Sequence, residues 1–411
     1  MSIGNPQEAQ RCPSLSLMEN HTWTTGFFLF LTWFLLSALL SCALAEVQPA
    51  TGDKNVWKLR VPGDIPAPVQ RAAIDRDPGT VHLATLTELY HVQNKDIQRV
   101  SARPGPNGQI ALASGGAVYA QLTAADGPAP LWHVQLFSVA GESLATLRPE
   151  TPPLGFGGIY LGYRGKLIVT VTAIDDWRGI RGRYRFTFWN LDGQILNTVI
   201  RPTREFGVIA ADGSSFLLLG EKEATAYSPD GNLLWRLDGQ FRKGAIARNG
   251  ELALLNPSPL ERIHNVVIFT GSQRPIEVEM PTPVHELVLA PDGAAVVGGD
   301  RGRFFFLDTQ KGDVKEGARL PFDAELFLTD LKFVDHDTIA IGVLQREGKP
   351  PSYSWPRGSL IVVTRDGDVL FKQDFPIRKQ ISSRPAVEAT FGLPFVVAFT
   401  LDEAVHIELG R

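Results

Sequence analysis

Short apolar segments recur along the chain, each directly after a turn rich in glycine or aspartate, and this recurrence restricts the fold more than any other feature. Eight such turns are present, at residues 77–79, 107–108, 164–165, 212–213, 249–250, 292–293, 335–337 and 392–394. Successive turns are separated by roughly 30 to 57 residues, which brackets the length of about 40 to 50 residues in a four-stranded propeller blade. The spacing therefore predicts an array of similar β-sheet units.

A second series of tight turns alternates with the first. Asp-Gly pairs at 192–193, 230–231 and 366–367 follow the strand-like segments FTFWN, ATAYS and LIVVT. Asp-Gly is favoured between antiparallel strands because a type I′ hairpin needs positive φ at both central residues. Each repeat is therefore predicted to contain strand, tight turn, strand, loop, strand, tight turn and strand, in that order.

The last repeat lacks one strand. It contains the strand-like segments 384–390, 394–400 and 403–409, while the segment 55–61 belongs to no other repeat. Pairing 55–61 with 403–409 completes a fourth strand and closes a ring, which removes exposed sheet edges. The alternative interpretation is an ordinary N-terminal arm.

These patterns predict an all-β fold in a single domain. We expect residues 55–411 to form a closed β-propeller of about eight (seven to eight) four-stranded blades, after a short linker at 46–54. The composition agrees, since 39 glycines and 29 prolines in 411 residues suit many short strands joined by turns.

Three segments resemble units of the quinoprotein-like (PQQ-like) and WD-repeat-like propeller superfamily. They are AYSPDGNLLWRLDG at 226–239, the segment 288–312, and VTRDGDVLFKQDF at 363–375. The resemblance implies a propeller fold and little about function. The quinoprotein dehydrogenases of this superfamily carry an adjacent cysteine pair, which this sequence lacks, and Trp235 has no counterpart in successive repeats. We therefore expect no quinone and no other cofactor.

The first 45 residues contain a strongly apolar run from Phe27 to Leu40, which indicates a signal peptide or a membrane anchor. Ala-Leu-Ala at 43–45 has the form of a signal-peptidase site, and Leu-Leu-Ser-Cys at 39–42 resembles a lipobox with Cys42 as the lipidated residue. A retained anchor is the third alternative, because about 20 apolar residues can span a bilayer. Each alternative predicts an extracytoplasmic protein, periplasmic or secreted, whose membrane contact is limited to this segment.

The sequence contains no recognisable catalytic or metal-binding motif. Its formal net charge of −4 gives no electrostatic reason to expect nucleic acid as a partner. Asp-His-Asp at 335–337 is interpreted as a turn, and Asp175-Asp176, followed by several arginines, as a solvated ion-pair loop. We predict a non-enzymatic protein without catalytic, cofactor-binding or metal-binding residues. The alternative is a hydrolase or lyase with a metal-dependent site at the central channel.

Four long insertions are predicted on one face of the ring, at 123–130, 173–183, 256–265 and 344–358. Loops on a rigid scaffold are common binding sites, and exposed aromatic and arginine side chains are enriched at interfaces. We therefore predict that this face binds a protein or glycan partner. The candidate contact residues are Trp177, Arg178, Arg181, Arg183, Arg262, His264, Tyr353, Trp355 and Arg357.

Overall fold

A computed structural model describes most of the chain from residue 56 to residue 409. The residues in this range that it does not describe are 61–63, 66–68, 76–79, 86–87, 94–95, 101–109, 126–130, 150–154, 176–181, 203–204, 259, 272–273, 318–319, 321–324, 349–353, 377–384 and 401–402. By its contacts the chain divides into Met1–Lys54 and Asn55–Arg411, and every described residue belongs to the second unit. In this described part, no helix is both long and apolar enough to cross a bilayer.

The described residues form eight four-stranded antiparallel sheets, which are the blades of the ring, numbered here from the first complete blade. Blades 1 and 2 contain β2 (Arg71–Ile74), β3 (Thr80–Ala84), β4 (Leu89–Gln93), β5 (Asp96–Val100), β6 (Ile110–Leu112), β7 (Val118–Ala125), β8 (Leu131–Ser138) and β9 (Ser143–Leu147). Blades 3 and 4 contain β10 (Gly155–Leu161), β11 (Ile168–Ala173), β12 (Tyr184–Trp189), β13 (Ile195–Arg201), β14 (Phe206–Ile209), β15 (Phe216–Leu219), β16 (Glu223–Tyr227) and β17 (Leu233–Asp238).

The other four blades have the same order. Blades 5 and 6 contain β18 (Phe241–Ala247), β19 (Leu252–Pro257), β20 (Asn265–Phe269), β21 (Ile276–Glu279), β22 (Val284–Leu289), β23 (Ala295–Gly299), β24 (Phe304–Leu307) and β25 (Val314–Glu316). Blades 7 and 8 contain β26 (Glu325–Phe333), β27 (Thr338–Glu347), β28 (Ser354–Thr364), β29 (Val369–Pro376), β30 (Ala386–Ala389), β31 (Phe395–Phe399), β32 (Glu403–Glu408) and β1 (Val56–Arg60). The helices in the described part are short 3-10 turns at Tyr163–Gly165, Arg248–Gly250, Leu260–Arg262 and Asp300–Gly302.

The eight blades form a closed ring around a central channel. The first strand of every blade contacts the first strands of both neighbouring blades, through the complete cycle from β2 to β30 and back to β2. Blade 8 takes its outermost strand from the start of the domain, because β1 pairs antiparallel with β32. The predicted propeller of seven to eight blades is confirmed, with eight, and the predicted pairing of 55–61 with 403–409 is observed for Val56–Arg60 against Glu403–Ile407.

The two ends of the ring carry different connections. In blades 1 to 7 the first and third connections share one end, here called the tight-turn face, because antiparallel strands alternate in direction. The second connection of each blade and the links between blades share the opposite end, here called the long-loop face. The predicted insertions at 123–130, 173–183 and 256–265 span the connections between second and third strands, as expected, and some of their end residues belong to those strands.

Two details of the predicted repeat were wrong. The insertion at 344–358 is in large part a hairpin, because β27 continues to Glu347 and β28 begins at Ser354. Asn107-Gly108 precedes β6 and so is not the first turn of blade 2. That turn lies after Leu112 and contains Gly115 and Gly116, with φ of 77° and 70°. Glycine is favoured at both positions because it adopts positive φ without the steric cost that a side chain would add.

The hydrophobic core lies between adjacent blades. Inner strands such as β15 are buried on both faces, whereas the outermost strand β13 alternates between half-buried and exposed residues. Phe216 of blade 4 is representative, with its ring in edge contact with Phe188 and Tyr160 of blade 3 at centroid distances of 5.9 and 5.2 Å. Each blade is therefore stabilised mainly by packing against its neighbours.

The first turns of neighbouring blades are joined by hydrogen bonds on the tight-turn face. The amide of Arg164 donates to the carbonyl of Ser114 at 2.7 Å, and that of Gly392 donates to the carbonyl of Val334 at 2.8 Å. The other such bonds join Asn249 N to Ser214 Oγ, Arg248 Nη2 to Asp292 O, His336 Nδ1 to Asp292 Oδ2, and Thr390 Oγ1 to Ile74 O. These bonds bridge six of the eight junctions between blades and form a turn ring around one mouth of the channel.

Candidate functional site

The predicted contact residues divide into described and undescribed groups. Trp177, Arg178, Arg181 and Tyr353 lie outside the described residues. The described members are at the long-loop end of blades 3, 5 and 7, and they are Arg183, Arg262, His264, Trp355 and Arg357. Trp355 and Arg357 lie on the extended strand β28 and not in a loop, for the reason given above.

The two loop arginines that are described already have carboxylate partners. Arg183 donates two hydrogen bonds to Asp175, from Nε at 2.5 Å and from Nη2 at 2.8 Å. These hydrogen bonds hold the pKa of the Asp175 carboxyl below its ordinary value. Arg262 forms an ion pair with Glu277 of β21. Both pairs are exposed, so they orient the loops while contributing little to stability.

A row of three rings runs across blades 6 and 7 at the long-loop end. His285 of β22 lies 5.8 Å from Phe327 of β26, and Phe327 lies 6.0 Å from Trp355 in an edge contact. His285 Nε2 is also bonded to Asp300. Trp355 is half-buried by these contacts, so one part of its ring is available to solvent. The row runs from the first strand of blade 6 to the long hairpin of blade 7.

Two large apolar side chains are exposed on the long-loop face and were not identified from the sequence. Phe206, the first residue of β14, is 70% exposed, and Leu260, in the loop after β19, is 80% exposed. They belong to adjacent blades, 4 and 5. Phe206 gave no signal in the sequence because an apolar residue at a strand end is ordinarily assigned to the core. Leu260 was passed over because the loop candidates were chosen among aromatic, arginine and histidine side chains.

A buried polar network includes Glu205, the residue that precedes Phe206. Arg201 donates to Glu223 at 2.7 Å and to Thr225 at 2.6 Å, and its Nε lies 3.4 Å from Glu205. Burial raises the pKa of Glu205 to about 7, with Arg201 opposing this rise and Glu223 adding to it. The network ties the link before β14 to the body of blade 4, so the exposed Phe206 is held on a fixed support.

The channel contains a cavity of about 530 Å³ near the tight-turn face. First strands of seven blades contribute to its wall, and the charged groups in that wall are Arg71, Lys332 and Glu388. These three belong to consecutive blades, 1, 7 and 8. We call them the charged arc.

The opposite wall of the cavity is apolar. The first strands of blades 2, 3 and 4, which are β6, β10 and β14, contain no charged residue, whereas each of the other five first strands contains at least one. In a ring of eight, each blade faces the fourth one along, so β26 faces β10 and β30 faces β14. The apolar arc consists of the cavity-lining residues Leu112, Ile159, Tyr160, Val208 and Ile209.

Glu388 is the acidic member of the charged arc. Its Oε1 lies 3.5 Å from the hydroxyl of Ser114, which is at the limit of a hydrogen bond. Burial raises the pKa of Glu388 to about 7, Lys332 opposes this rise, and Asp330 adds to it. Each oxygen of Asp330 accepts one backbone hydrogen bond, from the amides of Leu331 and Val387 at 2.8 and 2.9 Å.

The remaining sequence candidates have structural roles. His336 of the segment 335–337 lies in a turn between β26 and β27 and pairs with Asp292 of blade 6 at 2.6 Å, as part of the turn ring. Asp175 belongs to an exposed ion pair, as predicted. Among the described residues, no group of three or more histidine, cysteine, aspartate or glutamate side chains is arranged to hold a metal ion.

No protein-family profile matches the sequence, and no curated protein shows significant similarity to it. Solved structures with the same fold do match. The C-terminal WD40 domain of Sif2 is 11% identical with a TM-score of 0.57, and the match covers 87% of this chain and 98% of that one. BamB from Moraxella catarrhalis is 12% identical with a TM-score of 0.51, and the match covers 86% of this chain and 99% of that one. The chain thus shares the β-propeller fold of these two structures.

Proposed function

We propose that this chain is a non-catalytic scaffold that binds a protein partner through its long-loop face. The observation that carries the proposal is the exposure of Phe206 and Leu260 on adjacent blades. Large apolar groups in water are unfavourable, and burying one completely stabilises a complex by about 1.5 to 3 kcal/mol. Their placement on the face with the long loops and the row of rings supports a single contact surface.

A protein fits this surface better than a glycan does. Leu260 is aliphatic, and an aliphatic side chain offers a sugar neither hydrogen bonds nor the flat stacking surface of an aromatic ring. An apolar pocket of a protein would accept both Leu260 and Phe206. Arg357, which is exposed on β28, would supply a hydrogen-bonding group at the rim.

The experiment compares two pairs of exposed apolar residues. A photoreactive amino acid is introduced at residue 206 or 260, and in parallel at Leu233 or Leu370, which are 53% and 51% exposed on the outermost strands β17 and β29. Crosslinked proteins in the native cell extract are then identified by mass spectrometry. The proposal requires one protein that is crosslinked from residues 206 and 260 and not from 233 or 370. Equal crosslinking from all four positions would contradict it.

A second part of the proposal concerns location. The apolar run at 27–40 supports export, with a signal peptide, a lipid anchor at Cys42 or a retained anchor as the alternatives. Fractionation of cells that produce the full chain, with and without residues 1–45, tests this. Retention of both forms in the cytoplasm would refute extracytoplasmic action.

A channel hydrolase or lyase is the second candidate function. The observation in its favour is that the pKa of Glu388 is raised by burial to about 7, a value suited to proton transfer near neutral pH. Metal analysis of the purified protein tests this candidate. A stoichiometric ion lost in the Glu388→Gln variant would favour the enzyme over the scaffold.

A further inference from the structure

We propose that the channel cavity at the tight-turn face binds a small amphiphile with a carboxylate head and an apolar tail. In the bound state the head contacts Arg71 and Lys332 of the charged arc, and the tail lies along the apolar arc. This site lies at the opposite end of the ring from the proposed partner surface. It is therefore independent of the proposed function.

The charged arc favours an anion over a cation. Of the charged residues in the cavity wall, Arg71 and Lys332 are basic and Glu388 is acidic, whereas Asp330, which is bonded to two backbone amides and lies 4.0 Å from Lys332, is not among the residues of that wall. Arg71 is exposed and lines the cavity, and among the described residues the acid that acts on it there is Glu388. When Glu388 is protonated, no ionised acid balances the positive charge of Arg71. The carboxylate of a ligand could then accept two parallel hydrogen bonds from the Arg71 guanidinium.

The apolar arc favours a hydrocarbon tail. Ile159, Val208 and Ile209 are half-buried residues of the cavity wall, and their side chains also pack against the cores between blades. The hydroxyl of Tyr160 accepts a hydrogen bond from the amide of Gly207 at 3.2 Å, so it is already engaged within the wall. A volume of about 530 Å³ lies within the range of about 300 to 1,000 Å³ typical of small-molecule sites.

Glu388 couples this binding to pH. The groups that face it are Lys332 and Asp330 from β26, Arg71 from β2, and Ser114 from the turn after β6. An ionised Glu388 repels a carboxylate ligand, whereas the protonated acid can donate a hydrogen bond to it. Binding of an anion near neutral pH should therefore be accompanied by proton uptake.

The probes are three molecules with the same eight-carbon tail and different heads: octanoate, octanol and octyltrimethylammonium. Affinity is measured by isothermal titration calorimetry on the purified protein at pH 6 and pH 8, in two buffers with different ionisation enthalpies. We expect octanoate to bind at least tenfold more tightly than the other two probes at pH 6. Its affinity should fall about five- to tenfold at pH 8, where Glu388 is ionised.

Variants locate the site. The double variant Arg71→Gln and Lys332→Gln should weaken octanoate binding at least tenfold, and Glu388→Gln should abolish its pH dependence. Lys315→Gln, on the outermost strand β25, removes an exposed lysine far from the channel and should change nothing. Melting temperatures within a few degrees of the parent protein establish that each variant is folded. The proposal is wrong if octanoate does not bind at millimolar concentration, if the ammonium probe binds equally well, or if the folded double variant binds octanoate unchanged.

Discussion

Trp57 and His406 stack with their ring centroids 4.8 Å apart and their planes at 17°, and through this contact the first strand of the domain meets the last. Phe395 of β31 stacks on the same histidine at 5.6 Å. Trp57 and His406 are both buried, at 6% and 2% exposure. The closure of the ring therefore rests on packing as well as on the β1–β32 hydrogen bonds.

Replacing Trp57 with alanine should destabilise the protein by about 3 to 5 kcal/mol, because it leaves a cavity at the closing blade. Trp355→Ala is the matched control, and it should cost much less because Trp355 is half-buried at the long-loop end. Unfolding in guanidinium chloride measures both.

Deletion of β1 provides a second test of closure. A chain that begins at Ile65 should lose far more stability than one that begins at Glu46, because one sheet loses its outermost strand. Equal melting temperatures for the two chains would show that β1 is dispensable.

Acid should destabilise the closing blade. Burial lowers the pKa of His406 from 6.5 to about 4, so the folded protein holds a neutral ring that the unfolded chain protonates more readily. The stability contributed by the neutral ring is complete above pH 6.5 and is lost as pH falls through 4. The loss amounts to roughly 3 kcal/mol. In the His406→Phe variant the stability curve should be flatter between pH 6.5 and 4, and an unchanged slope would contradict this account.

Glu205 should produce a loss of stability on the alkaline side. Its folded pKa of about 7 exceeds the ordinary 4.5, so its contribution is complete below pH 4.5 and is lost as pH rises through 7. Glu205→Gln should therefore be more stable than the parent at pH 8 by about 1 to 2 kcal/mol, a gain limited by the lost ion pair with Arg201. The two proteins should differ little at pH 5. A variant that is less stable than the parent at both pH values would contradict the prediction.

Alanine substitutions at two glycines should distinguish the stability cost of a strained backbone from the cost of a steric clash. Gly213 and Gly392 both have positive φ, of 70° and 84°. A Cβ added at Gly213 of blade 4 would lie 2.7 Å from the backbone nitrogen of Tyr163 in blade 3. A Cβ added at Gly392 would have no heavy atom within 4 Å. Gly392→Ala should cost about 1 to 2 kcal/mol. Gly213→Ala should cost clearly more, as measured by thermal unfolding, and equal costs would show that the turns on this face tolerate displacement.

The aromatic and arginine side chains of the long loops remain a prediction for binding. Replacing Trp177, Arg181 and Tyr353, which the sequence predicts to lie in surface loops, together with alanine should leave folding nearly unchanged, since exposed substitutions usually cost within about 0.5 kcal/mol each. Recovery of the protein identified by crosslinking at residue 206 should be abolished. Unfolding of the variant would assign the loops a structural role, and full recovery would place the contact elsewhere on the ring.

Much of the fold was predictable because turn chemistry is local. Asp-Gly at 192–193 and 230–231 marks a hairpin whatever surrounds it, and seven of the eight predicted first turns do lie between first and second strands. The turn at 107–108 was wrongly predicted to be the first turn of blade 2, because the segment QIALA fits the pattern of a first strand as well as that of a second strand. The charged arc could not be predicted, because Arg71 and Glu388 are far apart in sequence and meet only when the ring closes.

The antiparallel pairing of β1 with β32 also determines how the ring responds to force. Val56 lies opposite Ile407, so the chain enters and leaves the sheet side by side, at the end where the other blades have a tight turn. Tension applied between these two points would peel the ladder apart one residue pair at a time, in the manner of a zipper, instead of shearing all its bonds together. A load applied at Val56 alone would reach the blade at its tight-turn end, which is the end of the ring opposite the long-loop face.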